Sequence, residues 1–216
     1  RLKDGIGRII NNCKTAEEVE SKTKMLELLF GNEKYKNNEM LMQKLDDIIN
    51  SCSSPEDVVA KQKVLDLCLT EKVLTENQNI QECIGFIVSN SSSNNKVLEM
   101  VNRYLNEPLL NDNASVKKYA GYIIAGAQNE YMTKLLDKYL EEPKLNQNQK
   151  VQSMIGDIIV YTNKKEVYES RLGIIDKYLS TPELYEDVSI QNELGNIIKK
   201  CMTKKQLQSS IEFIDN

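Results

Sequence analysis

The sequence predicts an all-α fold, a right-handed α-solenoid of about five and a half two-helix repeats, each of 35–39 residues. Three observations carry this expectation. First, one phrase recurs six times: an apolar residue, three of any kind, an apolar anchor, usually Gly, one residue, then two β-branched apolars. From the anchors Ile6, Leu45, Ile84, Ala120, Ile155 and Leu194 the copies step by 39, 39, 36, 35 and 39 residues, the spacing of a stacked helical array. Second, Asn38, Asn77, Asn113, Asn148 and Asp187 each stand seven residues before an anchor. Third, the first five copies continue into a second segment with two apolar doublets four residues apart, such as Val64-Leu65 and Cys68-Leu69.

The first helix of each copy keeps apolar residues at −4, 0, +3, +4 and +7 from its anchor. At 100° per residue these fall on one stripe, the pattern of an amphipathic helix. The Asn or Asp at −7 marks its start, because its side-chain oxygen accepts a free backbone N–H of the first turn. At +7 stand Cys13, Cys52 and Cys201, or Ser91, Ala127 and Thr162, so this is a small-residue position on the buried stripe. Gly7, Gly85, Gly121, Gly156 and Gly195 lie mid-helix at +1. Glycine there costs roughly 0.8–1 kcal/mol relative to Ala, which is explained if a neighbouring helix approaches where a Cβ would stand.

A second set of caps follows at +8 or +9: Thr15-x-x-Glu18, Ser54-Pro55-x-Asp57, Asn163-x-x-Glu166 and Thr203-x-x-Gln206. Each has the form of a capping box or a cap followed by Pro. The second helix then runs to Pro108, Pro143 or Pro182, which stops it in three copies. Tyr35, Leu74, Leu110, Leu145 and Leu184 stand ten residues before the next anchor and hold the connection. Tyr104, Tyr139 and Tyr178 align with Leu29 and Cys68 in the doublets and are expected in the core, hydroxyls at its edge. The repeat units fall at about 1–37, 38–76, 77–112, 113–147, 148–186 and 187–216 of a single domain. Arg1 falls after the cap position of its copy, and Phe213-Ile214 reaches only the first doublet of the last. The sequence is therefore expected to be a piece of a longer protein.

The helix pairs, their period and the Pro-stopped second helices resemble α-solenoids of the HEAT and armadillo type. The resemblance covers the whole chain and rests on periodicity. The Trp-Leu-Gly pattern of tetratricopeptide repeats is not present. The resemblance implies a curved superhelix with a scaffold or binding role, and it carries over no functional residue.

Composition narrows the function. A formal charge of −4, from 28 basic and 32 acidic residues, provides no general attraction to nucleic acid or anionic lipid. No apolar run is long enough to span a membrane. The five cysteines are spread over successive repeats, too far apart for disulfides or a shared metal, so they are expected free in a reducing, cytoplasmic setting. With no histidine, no glycine-rich loop and no nucleophile beside a base, the chain is expected to be non-enzymatic and without cofactor or metal. The row Glu27, Asp66, Asn102, Asp137 and Asp176 is expected to be a solvated face, with Lys24, Lys63 and Lys134 pairing three residues on.

Two surfaces are candidates for binding. At outward positions of the middle first helices, Phe86, Tyr119, Tyr122, Val160 and Tyr161 replace polar residues. They are either anchors for a protein or peptide partner or a stripe widened under neighbouring elements. The alternative is a nucleic-acid or anionic-ligand site at Lys199, Lys200, Lys204 and Lys205, joined by Lys164 and Lys165 at the preceding turn. Phosphate contacts there would make binding steeply salt-dependent, whereas a solvated turn would show none. A protein or peptide partner is the favoured reading, because outward positions share no repeated chemistry of the kind an RNA-reading array needs.

Overall fold

A computed structural model of the chain describes residue 7 and residues 13–214. The described residues form eighteen helical segments and no strand, so the chain is all-α. The first helix of copy one, with Leu2, Ile6, Arg8, Ile9, Ile10, Asn11 and Asn12, lies outside the described residues. Contacts divide the chain into two compact units, Arg1–Asn106 and Glu107–Asn216, described here in turn.

The first unit contains α1 (Ala16–Gly31), α2 (Glu33–Lys36), α3 (Glu39–Gln43), α4 (Leu45–Asn50), α5 (Pro55–Thr70), α6 (Lys72–Thr75), α7 (Gln78–Asn90) and α8 (Lys96–Asn106). First helices pack on first helices, α3 and α4 against α7; second helices pack on second helices, α1 against α5 and α5 against α8. The second unit contains α9 (Pro108–Asn111), α10 (Ala114–Ala125), α11 (Glu130–Glu141), α12 (Pro143–Asn146), α13 (Gln149–Gln152), α14 (Ile155–Val160), α15 (Lys165–Ser180), α16 (Pro182–Glu186), α17 (Val188–Lys200) and α18 (Lys204–Ile214). The same rule holds: α10 meets α14, α13 meets α17, α11 meets α15 and α15 meets α18.

All five caps at −7 form. Asn38, Asn77, Asn113 and Asn148 accept from the backbone N–H three residues on at 2.9–3.1 Å, and Asp187 accepts from Ile190 at 3.1 Å. The anchors Leu45, Ile84, Ala120, Ile155 and Leu194 are buried, as are both β-branched residues that follow each. The proline-led connectors are themselves single helical turns, with proline at the first position, where its missing N–H costs nothing. These connectors bury Leu110, Leu145 and Leu184, and the equivalent turns without proline, α2 and α6, bury Tyr35 and Leu74.

The mid-helix glycines mark close helix contacts. A Cβ at Gly85 would lie 2.5 Å from Met40 O, and one at Gly195 would lie 2.5 Å from Lys150 O. At Gly156 it would overlap Ser115 O. Met40, Ser115 and Lys150 all stand five residues before the anchor of the preceding copy, so one contact recurs three times. At Gly7 no described atom lies within 4 Å of such a Cβ, and the close-approach account does not extend there.

Three local expectations need correction. The first helix of copy two is interrupted at Lys44, and that of copy five at Ser153 and Met154. In copy five the cause lies in the neighbouring helix. Gly156 N–H donates to Ser115 Oγ at 3.0 Å, and the carbonyl of Gln152, four residues earlier, accepts from Asn113 Nδ2 at 3.2 Å. Both groups of the missing helical bond are thus satisfied from outside. In every copy but the third, whose second helix begins at Lys96, the second-helix cap sits at +9, so Lys164, not Asn163, is the cap of α15 and offers no side-chain bond. Asn129, at the same position, caps α11. Lastly, the charged row is not wholly a solvated face: Asp66 is half-buried and accepts from Tyr35, and Asp176 meets Lys138 at 3.5 Å, while Lys134 pairs with Glu130.

Candidate functional site

The second unit brings aromatic and basic side chains together on its first-helix face. Tyr119 and Tyr122, three residues apart on α10, share one side of that helix. Tyr122 is 53% exposed and Tyr161, which closes α14, is 52% exposed; Tyr119 and Val160 are half-buried. Lys118 Nζ lies 5.5 Å from the centre of the Tyr119 ring, a cation–π distance. Gly156 lets α14 approach close to that ring. Lys199 Nζ reaches Asp157 Oδ2 at 2.6 Å. That bond raises the Lys199 pKa, and the neighbouring phenols of Tyr119 and Tyr161 act in the same direction. Lys199 therefore sits among Tyr119, Tyr161 and Asp157. Phe86 belongs to the first unit, 48% exposed, with Lys44 Nζ 4.7 Å from its ring centre.

Two of the six lysines of the alternative site pair with carboxylates. Lys165 lies 3.7 Å from Glu169, and Lys199 is taken by Asp157. Lys200 and Lys205 line an open groove of about 570 Å³ together with Glu193, Ile197 and Phe213. Lys164 and Lys204 are exposed at the starts of α15 and α18.

A set of buried bases escaped the sequence reading. Lys22, Lys61 and Arg171 all stand sixteen residues after their anchors and are at most 7% exposed. Lys61 Nζ donates to the carbonyls of Val88, Ser89 and Ser91, at the C-terminal end of α7. Arg171 donates to Ile158 O, to Thr162 Oγ1 at 2.5 Å and to Lys199 O at 3.0 Å. Lys61 and Arg171 thus meet carbonyls at a helix end, where the helix dipole favours a cation. Burial lowers the pKa of both; it is opposed by Cys52 and Asp57 at Lys61, and by Asp157 and Cys201 at Arg171, which falls to about 10. The signal was present in sequence: a basic residue one turn before the first doublet lies on the apolar stripe.

The doublet tyrosines are core residues, with Tyr104, Tyr139 and Tyr178 at most 3% exposed. Tyr104 Oη accepts from Asn77 Nδ2 at 3.0 Å, while burial pushes the Tyr139 phenol up to about 12, with Asn113 opposing it. The five thiols are free. Burial raises Cys52 and Cys201 to about 11 and Cys68 to about 12, which suppresses thiolate chemistry at neutral pH. Among the described residues no three or more His, Cys, Asp or Glu side chains group to hold a metal. No described helix is long and apolar enough to cross a membrane. Comparison with protein-family models, curated proteins and solved structures returned no match. What the geometry defines is an all-helical chain with a mixed aromatic and charged face.

Proposed function

We propose that the helix pairs are repeats of one right-handed α-solenoid, and that the protein is a non-enzymatic interaction module presenting this surface to a protein or peptide. The observation that carries the reading is the pair of half-exposed tyrosines, Tyr122 and Tyr161, on helices that bury Val116, Ala120, Ile123 and Ile124, and Ile155, Ile158 and Ile159, on their opposite sides. Tyrosine offers large contact area with little side-chain entropy to lose, which makes it a frequent anchor at interfaces. The repeated caps and the three equivalent glycine contacts support the solenoid reading. Five free thiols suit a reducing compartment such as the cytoplasm.

The test is site-directed photo-crosslinking in the native cell. Benzoylphenylalanine replaces Tyr161 in one variant and Val188, 67% exposed at the start of α17, in another. The expected result is a discrete protein adduct at position 161 that disappears when Tyr122→Ala is added. Identical adduct patterns at 161 and 188 would exclude a specific site on this face.

A further inference from the structure

We propose that the partner segment on the second unit's first-helix face is acidic: an extended peptide whose carboxylates meet Lys118 and Lys200 while its apolar side chains cover Tyr119, Tyr122 and Tyr161. This rests on the interaction reading above and adds the chemistry of the ligand. Charge complementarity is the argument. The chain as a whole carries −4, yet this face runs the other way. Lys118 stands over the Tyr119 ring, Lys199 feels the phenols of Tyr119 and Tyr161 while bound to Asp157, and Lys200, the next residue, is exposed. Lys150, whose carbonyl meets the Gly195 position, adds a fourth cation on α13. Two carboxylates oppose these four: Asp157, already bound to Lys199, and Glu193, which accepts from Asn196 at 2.7 Å. A surplus of positive charge around exposed rings attracts carboxylates and raises the rate of encounter.

The same lysines and rings would also attract single-stranded nucleic acid. Asp157 decides against it. With Glu193 on α17 it puts two carboxylates on this face, and a continuous phosphate backbone would have to pass both. A peptide carries its negative charge only on chosen side chains and can offer an N–H or an apolar group at that point.

The test uses fluorescence polarisation with the intact chain and three labelled probes of equal length: a peptide repeating Asp-Phe-Glu-Leu, one repeating Lys-Phe-Arg-Leu, and oligouridine. The acidic peptide is expected to bind at about 50 mM salt roughly tenfold or more tighter than either other probe, and to weaken as added salt screens the surface. Lys118→Glu with Lys200→Glu should reduce its affinity by about tenfold, as should Tyr122→Ala with Tyr161→Ala. All four positions lie at the surface, and circular dichroism checks that the variants stay folded. No binding of the acidic peptide, equal binding of oligouridine, or affinity unchanged by the lysine variants would each overturn the proposal. A specific crosslink at position 161 alongside any of these would leave the interaction reading standing while removing the acidic ligand.

Discussion

Replacing Lys61 with Met removes a buried ammonium whose three acceptors stay behind. Lys61 Nζ lies 3.1 Å from Val88 O and 3.0 Å from Ser89 O, and also bonds to Ser91 O. The three losses are unequal. Val88 O keeps the bond from Ser91 N–H at 3.1 Å, and the contact at Ser89 O is only partly buried. Ser91 is 1% exposed, so its carbonyl bears the largest penalty, about 1–3 kcal/mol for a stranded buried acceptor. Loss of the cation at the end of α7 adds up to ~2 kcal/mol. Against this, Met fills a similar volume and recovers the cost of burying a charge, the effect that can make a hydrophobic replacement neutral or better. That recovery dominates when both partners of a pair are replaced; here only the donor is. The net expectation is a loss of roughly 2–3 kcal/mol, read as a lower urea midpoint at constant slope. Lys63→Met, exposed on the same helix, should change stability by no more than about 0.5 kcal/mol. Equal or greater stability for Lys61→Met would show that desolvation outweighs the carbonyl bonds.

Asp57 accepts from Ser53 Oγ at 2.6 Å and from the backbone N–H groups of Ser53 and Ser93. Burial alone would raise its pKa, but these bonds outweigh it and bring the carboxyl from 3.8 down to about 2. A depressed carboxylate stabilises the fold above its unfolded pKa, so this contribution is complete above about pH 4 and lost as pH falls from 3.8 through about 2. Asp57→Asn should cost roughly 1–3 kcal/mol at neutral pH, with the gap to wild type narrowing near pH 2; a gap independent of pH contradicts this. The thiols make a separate prediction. Cys13, half-buried, should react first with a disulfide reagent at neutral pH, while Cys52, Cys68 and Cys201 react only after unfolding. Rapid native-state modification of all five would contradict the burial described.

The caps at −7 were legible in sequence because they are local: an Asn oxygen and an N–H three residues away need no tertiary partner. Burial of the anchors followed from the helical period for the same reason. The breaks at Lys44 and Met154 were not legible. The break in copy five depends on Asn113 and Ser115 reaching across from the preceding helix. Asn163 looked like a cap because Asn usually is one, yet the common +9 register places Lys164 there. At the candidate site, outward positions identified Tyr122 and Tyr161 as surface residues. The pairing of Lys199 with Asp157, 42 residues earlier, is a contact between repeats, and no window along the chain reveals it. For Lys61 and Arg171 half of the signal was legible, a base on the apolar stripe, but their partners are backbone carbonyls and leave no trace in residue type.

Successive first helices meet through a repeated close approach, and substitution of its glycines probes that contact. Alanine in a free helix interior is worth about 0.8–1 kcal/mol over glycine. At Gly156 the added Cβ would meet the Ser115 carbonyl, with Met40 O and Lys150 O in the same role at Gly85 and Gly195, so overpacking of roughly 1–3 kcal/mol should reverse the sign. Urea unfolding of Gly85→Ala, Gly156→Ala and Gly195→Ala should show all three less stable than wild type, while Gly31→Ala, with no described atom within 4 Å of its Cβ, should be neutral or stabilised. Stabilisation at all four positions would mean that these helices do not meet at a shared seam.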